Sequence, residues 1–201
     1  MEAFVTLDAV AVPLPLPNID TDQIIPARYL SRPREVNHAD FLFHDARRVP
    51  ATDEQNPEFP LNREAWREAK IIVAGKNFAC GSSREAAVWA LFDAGFRCAI
   101  APSFGDIFRN NGTKNGLLPV VLPAEVVEDI LAQLEASPGA HIHVDLPKQE
   151  VTAPDGSTHG FEIDPFAKHC MLNGLDDFGV TAAYEDDIAA FERRYGRENR
   201  I

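Results

Sequence analysis

The sequence predicts an α/β fold in which a mostly parallel β-sheet is flanked by helices and continued by an antiparallel β section. Short, β-branched apolar runs alternate with helical patterns between residues 70 and 136. This order favours right-handed crossovers and parallel strands. Polar and apolar residues then alternate over 141–146, and a Pro-Asp-Gly turn follows at 154–156. That pattern is typical of antiparallel hairpins.

The parallel part is predicted from six segments that alternate between strand and helix. Apolar runs indicate buried strands at 70–74, 97–101 and 117–122. Helical patterns occupy 83–94, about 105–111, and 124–136. Gly95 is a typical helix stop. One apolar face of the last helix consists of Val126, Val127, Ile130, Leu131 and Leu134.

The remaining segments complete the predicted domain. We expect a strand at 141–146, a second one at Phe161–Ile163, and helices near 165–172 and 185–195. Three prolines within the first 25 residues exclude a long helix there, so short strands and turns are expected. Residues 31–64 show no periodicity, which is typical of functional or mobile segments. No linker is visible, so 1–201 is expected to be one domain.

Charge and cysteine content exclude several classes of protein. A net charge of −12 repels phosphate backbones and anionic lipids, so we expect no nucleic-acid or membrane partner. Cys80, Cys98 and Cys170 do not form a disulfide framework, which indicates a reducing, cytoplasmic setting. Neither a signal peptide nor a membrane-spanning run is visible, so a soluble protein is expected.

The densest functional signal is the segment 77–85, Asn-Phe-Ala-Cys-Gly-Ser-Ser-Arg-Glu, between a predicted strand and a predicted helix. Ligands of open α/β sheets bind beyond the carboxyl ends of strands, and a helix start offers free N–H groups. Gly81 permits close backbone approach, and Ser82 and Ser83 supply hydroxyls. Arg84 adds a planar fork that suits a carboxylate. The segment therefore predicts a carboxylate site with an activated hydroxyl.

Other interpretations of this segment were weighed on the same residues. Ser82 and Glu85 also fit a capping box, which would give them a structural role only. A P-loop is excluded because Asn77 follows the Gly-Lys pair, and a nucleophile elbow because the G-x-S-x-G pattern is absent. A stand-alone hydrolase that uses Ser82 stays open, since a histidine could approach through the fold.

Four segments, in order along nearly the whole chain, resemble one known family. They are Asn-Ile-Asp-Thr-Asp-Gln-Ile-Ile-Pro at 18–26, Gly-Ser-Ser-Arg-Glu at 81–85, Phe-Gly-Asp-Ile-Phe-Arg-Asn-Asn at 104–111 with Asn-Gly-Leu-Leu-Pro at 115–119, and Leu-Asn-Gly-Leu-Asp-Asp-Phe-Gly-Val-Thr at 172–181. Together they resemble the swivelling domain of aconitases and isopropylmalate dehydratases. The resemblance implies a β/β/α domain that forms the small subunit of a two-subunit hydro-lyase.

The resemblance also implies a reaction and roles for named residues. In this family a hydroxyl moves between adjacent carbons of a hydroxy di-acid by dehydration and rehydration. Ser82 is implied to be the catalytic base, Arg84 to stabilise it and bind a carboxylate, and Asp22 to be a nearby acid. Ser83 and Gly81 are implied to bind substrate.

The resemblance also implies a cofactor, and the cysteines of this chain indicate which subunit holds it. The family uses a [4Fe–4S] cluster as a Lewis acid, and such clusters need converging cysteine thiolates. No two of the three cysteines lie close together in the sequence. We therefore expect no metal or cofactor in this chain, and a large subunit that carries the cluster as its partner. Activity is expected only in that complex.

Substrate choice in the family resides largely in the loop after the N-terminal motif. Here residues 27–38 depart from the usual pattern of leucine-pathway subunits but keep three basic candidates for substrate binding, Arg28, Arg32 and Arg34. A solvated loop is the alternative for these arginines. Residues 31–64 are expected to be a substrate-recognition region. The resemblance favours isopropylmalate and leaves methylmalate, dimethylmalate or another aconitase-like hydroxy acid open.

Three weaker signals have structural explanations that we favour. His141 and His143 alternate on a strand, and without a third ligand they indicate a polar outer face. The acidic pairs at 176–177 and 185–187 fit turns and helix starts. The aromatic side chains of Trp89, Phe104 and Phe108 are expected in the core or at an interface. An RNA-binding role, known among aconitase relatives, is disfavoured by the acidic charge and the absence of a basic stripe.

Overall fold

The structure, a computed structural model, describes residues 1–198. Within them, seven strands form one mixed sheet in the order β4-β3-β2-β1-β5-β6-β7. The strands are β1 Thr6–Leu14, β2 Ile71–Ala74, β3 Cys98–Ala101, β4 Leu118–Val121, β5 His141–Asp145, β6 Glu150–Thr152 and β7 Thr158–Gly160. The helices are α1 Thr21–Ile24, α2 Glu85–Asp93, α3 Asp106–Lys114, α4 Ala124–Ala136, α5 Pro165–Asn173, α6 Asp177–Ala182 and α7 Glu185–Glu198.

Strands β1 to β4 form the parallel half of the sheet and are covered on both faces. Every residue of β2 and β3 is buried, as expected for parallel strands between helices. Ile72 and Ala99 pack into the same apolar cluster as helix α2. Ile71 and Cys98 pack on the opposite face, into the cluster that contains α4. The result is a three-layer arrangement in which α2 and α4 bury apolar faces on opposite sides of the sheet.

Strand β1 joins the parallel and antiparallel halves. Its first part, from Thr6 to Val10, pairs antiparallel with β5, and its last part, from Ala11 to Leu14, pairs parallel with β2. Pro13 lies beyond the last residue that β5 pairs with, where β1 is an edge strand on that side. A proline is tolerated there because no backbone donor is needed at an edge.

The predicted fold class is confirmed, and several predicted elements agree closely with the structure. Helix α4 has the predicted bounds, strands β2 and β3 begin one residue later than predicted, and β4 is one residue shorter at each end. Helix α2 ends before Gly95, whose φ of +94° suits a glycine after a helix. Residues 31–64 contain short 3₁₀ turns at Ala39–Phe41 and Pro60–Asn62, the start of a third at Glu64–Trp66, and an isolated β-bridge between Arg48 and Gln55.

One predicted element is wrong, and some short elements are not predicted. Phe161–Ile163 is not a strand; the hairpin turn instead joins β6 to β7, and Gln149 adopts a φ of +58° that ends the ladder opposite Phe161. The short helices α1 and α6 were not predicted, because each is too short to show helical periodicity.

Among residues 1–198, no helix is both long and apolar enough to cross a membrane.

Candidate active site

The carboxyl ends of β1, β2 and β3 converge at one edge of the sheet, and the segment 77–85 lies there. The Thr21 N–H donates to the Cys80 carbonyl at 3.0 Å, which joins the segment after β1 to the one after β2. The Phe78 N–H donates to the Ser103 carbonyl at 3.0 Å, and the Gly105 N–H donates to the Phe78 carbonyl at 3.0 Å. Three chain segments distant in sequence are thus fixed side by side, as expected at a ligand-binding edge of an α/β sheet.

The serine loop, defined here as residues 77–83, has an unusual backbone. Asn77, Ala79 and Gly81 all have positive φ, at 61°, 55° and 95°. Positive φ at a residue with a side chain is costly, by about 1–2 kcal/mol, and persists only where the surroundings fix it. The surroundings of Asn77 do so: its N–H donates to Ser103 Oγ at 3.0 Å, and its side chain donates to Asn18 Oδ1 at 2.8 Å.

Gly105 allows the loop after β3 to approach the serine loop. A Cβ at this position would lie 2.5 Å from the Ala79 carbonyl oxygen and 3.2 Å from Cys80 Cα. Its φ of −62° is ordinary, so the requirement for glycine is steric. At Gly81 the requirement for glycine is conformational, because its φ is +95° although a Cβ there would meet nothing closer than 3.6 Å. One glycine therefore sets the packing of the loop, and the other its turn.

Ser82 and Ser83 are exposed and directly precede helix α2. Arg84 is the N-cap residue, and no side chain of the described chain caps this helix. The capping box considered for Ser82 and Glu85 is therefore wrong: the Glu85 carboxylate instead accepts a hydrogen bond from Asn115 Nδ2 at 2.8 Å. Within residues 1–198 the Ser82 hydroxyl bonds to no other group, so no histidine base of a hydrolase contacts it. Ser82 is thus an exposed residue that lies just before a helix start without a side-chain cap.

Arg84 and Asp22 form an ion pair next to the two serines. Nη1 of Arg84 donates to Oδ1 of Asp22, which lies in the first turn of α1. The hydrogen bond from Arg84 lowers the pKa of the Asp22 carboxyl, so Asp22 is ionised at neutral pH. Thr21 supports the arrangement, since its hydroxyl donates to the Ser82 carbonyl at 3.3 Å. Because guanidinium has five N–H donors, Arg84 keeps donors for a carboxylate ligand.

The true capping box of this region lies in helix α1. The Gln23 N–H donates to the Asp20 carboxylate at 2.8 Å, and the Gln23 side chain accepts from the Asp20 N–H at 2.8 Å. It fixes the first turn of α1 and thereby the direction of Asp22. This box is not among the features predicted from the sequence. The spacing of Asp20 and Gln23 was the available signal.

The three arginines of the loop after α1 have different environments. Arg28 forms a two-pronged ion pair with Asp45, which lowers the pKa of the Asp45 carboxyl to about 2. Arg34 forms a similar pair with Asp93, at 3.1 and 3.0 Å. Arg32 is exposed, and its guanidinium contacts no partner within residues 1–198. The structure therefore leaves Arg32 as the arginine that is free to bind a ligand.

The cysteines of this chain do not provide a site for an iron–sulfur cluster. Cys98 is fully buried in β3, and burial strongly raises the pKa of its thiol. Cys80 follows β2 and Cys170 lies in α5. Within residues 1–198 no three His, Cys, Asp or Glu side chains are grouped as metal ligands would be. The donor set of the described chain therefore does not fit a cluster.

The weaker candidate sites have structural roles. His141 is exposed and His143 is half-buried on β5, and both face the Asp8 carboxylate of β1, at 2.6 and 3.7 Å. Phe104 and Phe108 are buried and stack with a 6.1 Å separation of ring centres, behind the serine loop. Trp89 is half-buried and donates its indole N–H to Asn115 at 3.2 Å. The side chain of Asp176 caps helix α6, which agrees with the helix start expected there.

Comparisons with known proteins agree with this geometry. Residues 1–125 match the Aconitase C-terminal domain, and residues 128–165 match LeuD_N. The 3-isopropylmalate dehydratase small subunit of Paramagnetospirillum magneticum is 53% identical over 192 residues, covering 96% of this chain and 95% of that protein. The chain belongs to the 3-isopropylmalate dehydratase small-subunit family. The subunit from Parvibaculum lavamentivorans is 50% identical over 194 residues, 96% of each chain.

A solved member of the family has the same fold. The crystal structure of 3-isopropylmalate dehydratase from Methanocaldococcus jannaschii superposes with a TM-score of 0.67, at 25% identity, over 92% of this chain and 98% of that one. The family resemblance drawn from the four sequence segments is therefore confirmed. The roles of individual residues of the small-subunit chain are not tested by these comparisons and stay predictions.

Proposed function

We propose that this chain is the small subunit of 3-isopropylmalate dehydratase, a cytoplasmic hydro-lyase that converts 2-isopropylmalate into 3-isopropylmalate in leucine biosynthesis. The proposal is supported by the family and by the position of Ser82. The hydroxyl of Ser82 is exposed at the start of α2, two residues before an arginine held by Asp22. A site of this kind suits a reaction in which a base acts next to a carboxylate.

In the proposed reaction Ser82 removes a proton from the carbon beside a substrate carboxylate, while the hydroxyl leaves the neighbouring carbon. In the return step hydroxide adds to the carbon that lost the proton, and Ser82 gives its proton to the neighbouring carbon, which restores the serine alkoxide. A serine hydroxyl is a weak base unless its ionised form is stabilised. The charge of Arg84 and the N–H groups at the start of α2 supply this stabilisation, since both favour an anion.

The substrate's carboxylates are held by two groups of this chain. Arg84 directs its remaining donors to the carboxylate nearest the reacting carbons, with Ser83 and the Gly81 backbone beside it. Arg32 binds the distal carboxylate, because it is exposed and unpaired within the described residues. Arg28 and Arg34 act through their ion pairs to shape the loop. Residues 31–64 form the recognition region of a single swivelling domain.

The iron–sulfur cluster belongs, in our proposal, to the large subunit. When bound there, a [4Fe–4S] cluster supplies Lewis acidity toward the departing hydroxyl. The large subunit must therefore close over the edge that exposes Ser82.

The surface beside that edge suits such a partner. A groove of about 390 Å³ between α3, α5 and α6 is lined by polar and apolar side chains in equal number, and Ile107 and Phe166 are among the apolar ones. Ile107, Phe166 and Phe178 are 49%, 62% and 86% exposed, and α3 begins directly after Gly105, which touches the serine loop. Exposed aromatic side chains of this kind mark protein interfaces. We assign this surface to the large subunit because it is continuous with the site that the large subunit completes.

The test is co-expression with a cluster-bearing large subunit from the same source. The complex is assayed for isomerisation of 2-isopropylmalate and of 2-methylmalate in parallel. We expect turnover of 2-isopropylmalate by the complex and none by the small subunit alone. Preference for 2-methylmalate would contradict the substrate, and full turnover by the isolated chain would contradict the division of the site.

A further inference from the structure

Asp93, the last residue of helix α2, binds the loop after α1 through three donors. Both Nη atoms of Arg34 donate to its carboxylate, at 3.1 and 3.0 Å. The backbone N–H of His38 donates to the same carboxylate at 2.9 Å. The Asp93 side chain is only 13% exposed, so these contacts are largely shielded from water.

An acidic residue at this position is locally unfavourable. The C-terminal end of a helix carries a partial negative charge, which disfavours a carboxylate there. The three donors from the loop compensate for this. Side-chain packing closes the contact: Arg34 lies over the Trp89 ring at 5.4 Å, and the fully buried His38 ring meets Trp89 edge-on at 5.5 Å. The position of Asp93 is therefore explained by loop binding and not by the helix.

The two ends of α2 bind the same segment of chain. At its start, the N-cap Arg84 pairs with Asp22, and at its end Asp93 pairs with Arg34. A helix of this length spans about 14 Å, so the segment from Asp22 to Arg34 runs along it between two fixed points. In the sequence, Arg32 lies between these two points, two residues before Arg34.

We propose that Asp93 is a positioning residue that fixes residues 30–38 on α2 and so sets the distance between Arg32 and Ser82. This inference rests on the proposed function, because it takes Arg32 to bind the distal carboxylate of the substrate. Asp93 itself does not touch the substrate. Its effect reaches the reaction through the placement of the loop, and thereby through substrate affinity.

The experiment compares wild-type and Asp93→Asn small subunits assembled with the large subunit. Asparagine keeps the shape but removes the charge and one acceptor oxygen. Because hydrogen bonds to a charged group are lost, we expect amide exchange of residues 30–38 to rise by about 10- to 100-fold and KM to rise by a similar factor. The kcat changes by less than about twofold, since Asp93 does not stabilise the transition state. A merely structural defect would lower kcat as well.

The matched control is Asp145→Asn, at a carboxylate that is similarly shielded and pairs with Lys148 at 3.0 Å at the end of β5, outside the recognition region. We expect this control variant to change neither the amide exchange of residues 30–38 nor the KM. If Asp93→Asn does not fold, Arg34→Met removes two of the three donors and gives the same exchange signature. Unchanged exchange and KM in these variants would overturn the inference. A wild-type complex without isomerase activity would overturn the proposed function, while exchange of residues 30–38 still decides the anchoring.

Discussion

Replacing Gly105 with alanine tests whether the packing of the serine loop controls the reaction. The added methyl would lie 2.5 Å from the Ala79 carbonyl oxygen and 3.2 Å from Cys80 Cα, both of them backbone atoms of the serine loop. The loop must therefore shift by roughly 0.5–1 Å, at a cost of about 1–3 kcal/mol in the free energy of unfolding. Because a misplacement of about 1 Å costs up to 100-fold in rate, we expect kcat/KM to fall by about 10- to 100-fold.

The assay combines urea denaturation of the small subunit with steady-state kinetics of the complex. Gly156→Ala is the matched control: its φ is +87° and a Cβ there meets nothing within 4 Å. It lowers the free energy of unfolding by about 1–2 kcal/mol through backbone strain alone. It lies at the tip of the β6–β7 hairpin and leaves kcat/KM unchanged. A Gly105→Ala complex with wild-type kcat/KM would refute the reasoning.

Three further predictions concern the rest of the site. Asp22→Asn lowers kcat/KM about 10-fold because Arg84 loses its fixed direction. The folded pKa of Asp22 is depressed, so its contribution to stability is present above the unfolded value of about 3.9 and is lost as pH falls through the folded pKa. At pH 7 the free energy of unfolding of the Asp22→Asn variant should differ from wild type by less than about 1 kcal/mol, since the Asp22–Arg84 pair is partly solvent-exposed. Arg32→Met raises the KM for 2-isopropylmalate about 10- to 100-fold with kcat nearly unchanged, and a normal KM would leave the distal carboxylate without its proposed partner. Phe166→Glu weakens binding of the large subunit about 30-fold in sedimentation equilibrium, whereas Val5→Glu, at an exposed apolar residue that precedes β1 and does not line the groove, leaves it unchanged; equal losses would argue against the assigned surface.

The periodic elements could be predicted from the sequence because the pattern of apolar residues within each single segment indicates which face is buried. Helix α4 has its apolar residues on one face, and β2 and β3 are short apolar runs buried on both faces. The hairpin turn was predicted, but the strand after it was misplaced. The position of β7 depends on where its partner β6 begins, and β6 begins directly after Gln149, which has a left-handed conformation.

The loop chemistry was only partly predictable. The sequence singled out Ser82 and Arg84, since a strand–loop–helix junction is a recognisable setting for a ligand. It could not show that Asp22 meets Arg84 or that Arg34 meets Asp93, because those partners are about 60 residues apart and are joined only by the parallel crossovers. For the same reason three arginines are equal candidates in the sequence, whereas within residues 1–198 the fold engages two of them in ion pairs and leaves Arg32 unpaired.

The central claim is that Ser82 removes the substrate proton in a site that the large subunit completes. Its most direct test is the rate at which the complex exchanges the substrate's reacting hydrogen with deuterated water, in wild type and in Ser82→Ala. We predict a fall of about 100- to 10,000-fold, typical of a lost general base, with unchanged affinity for the large subunit. Exchange within a few-fold of wild type in the Ser82→Ala complex would contradict the claim.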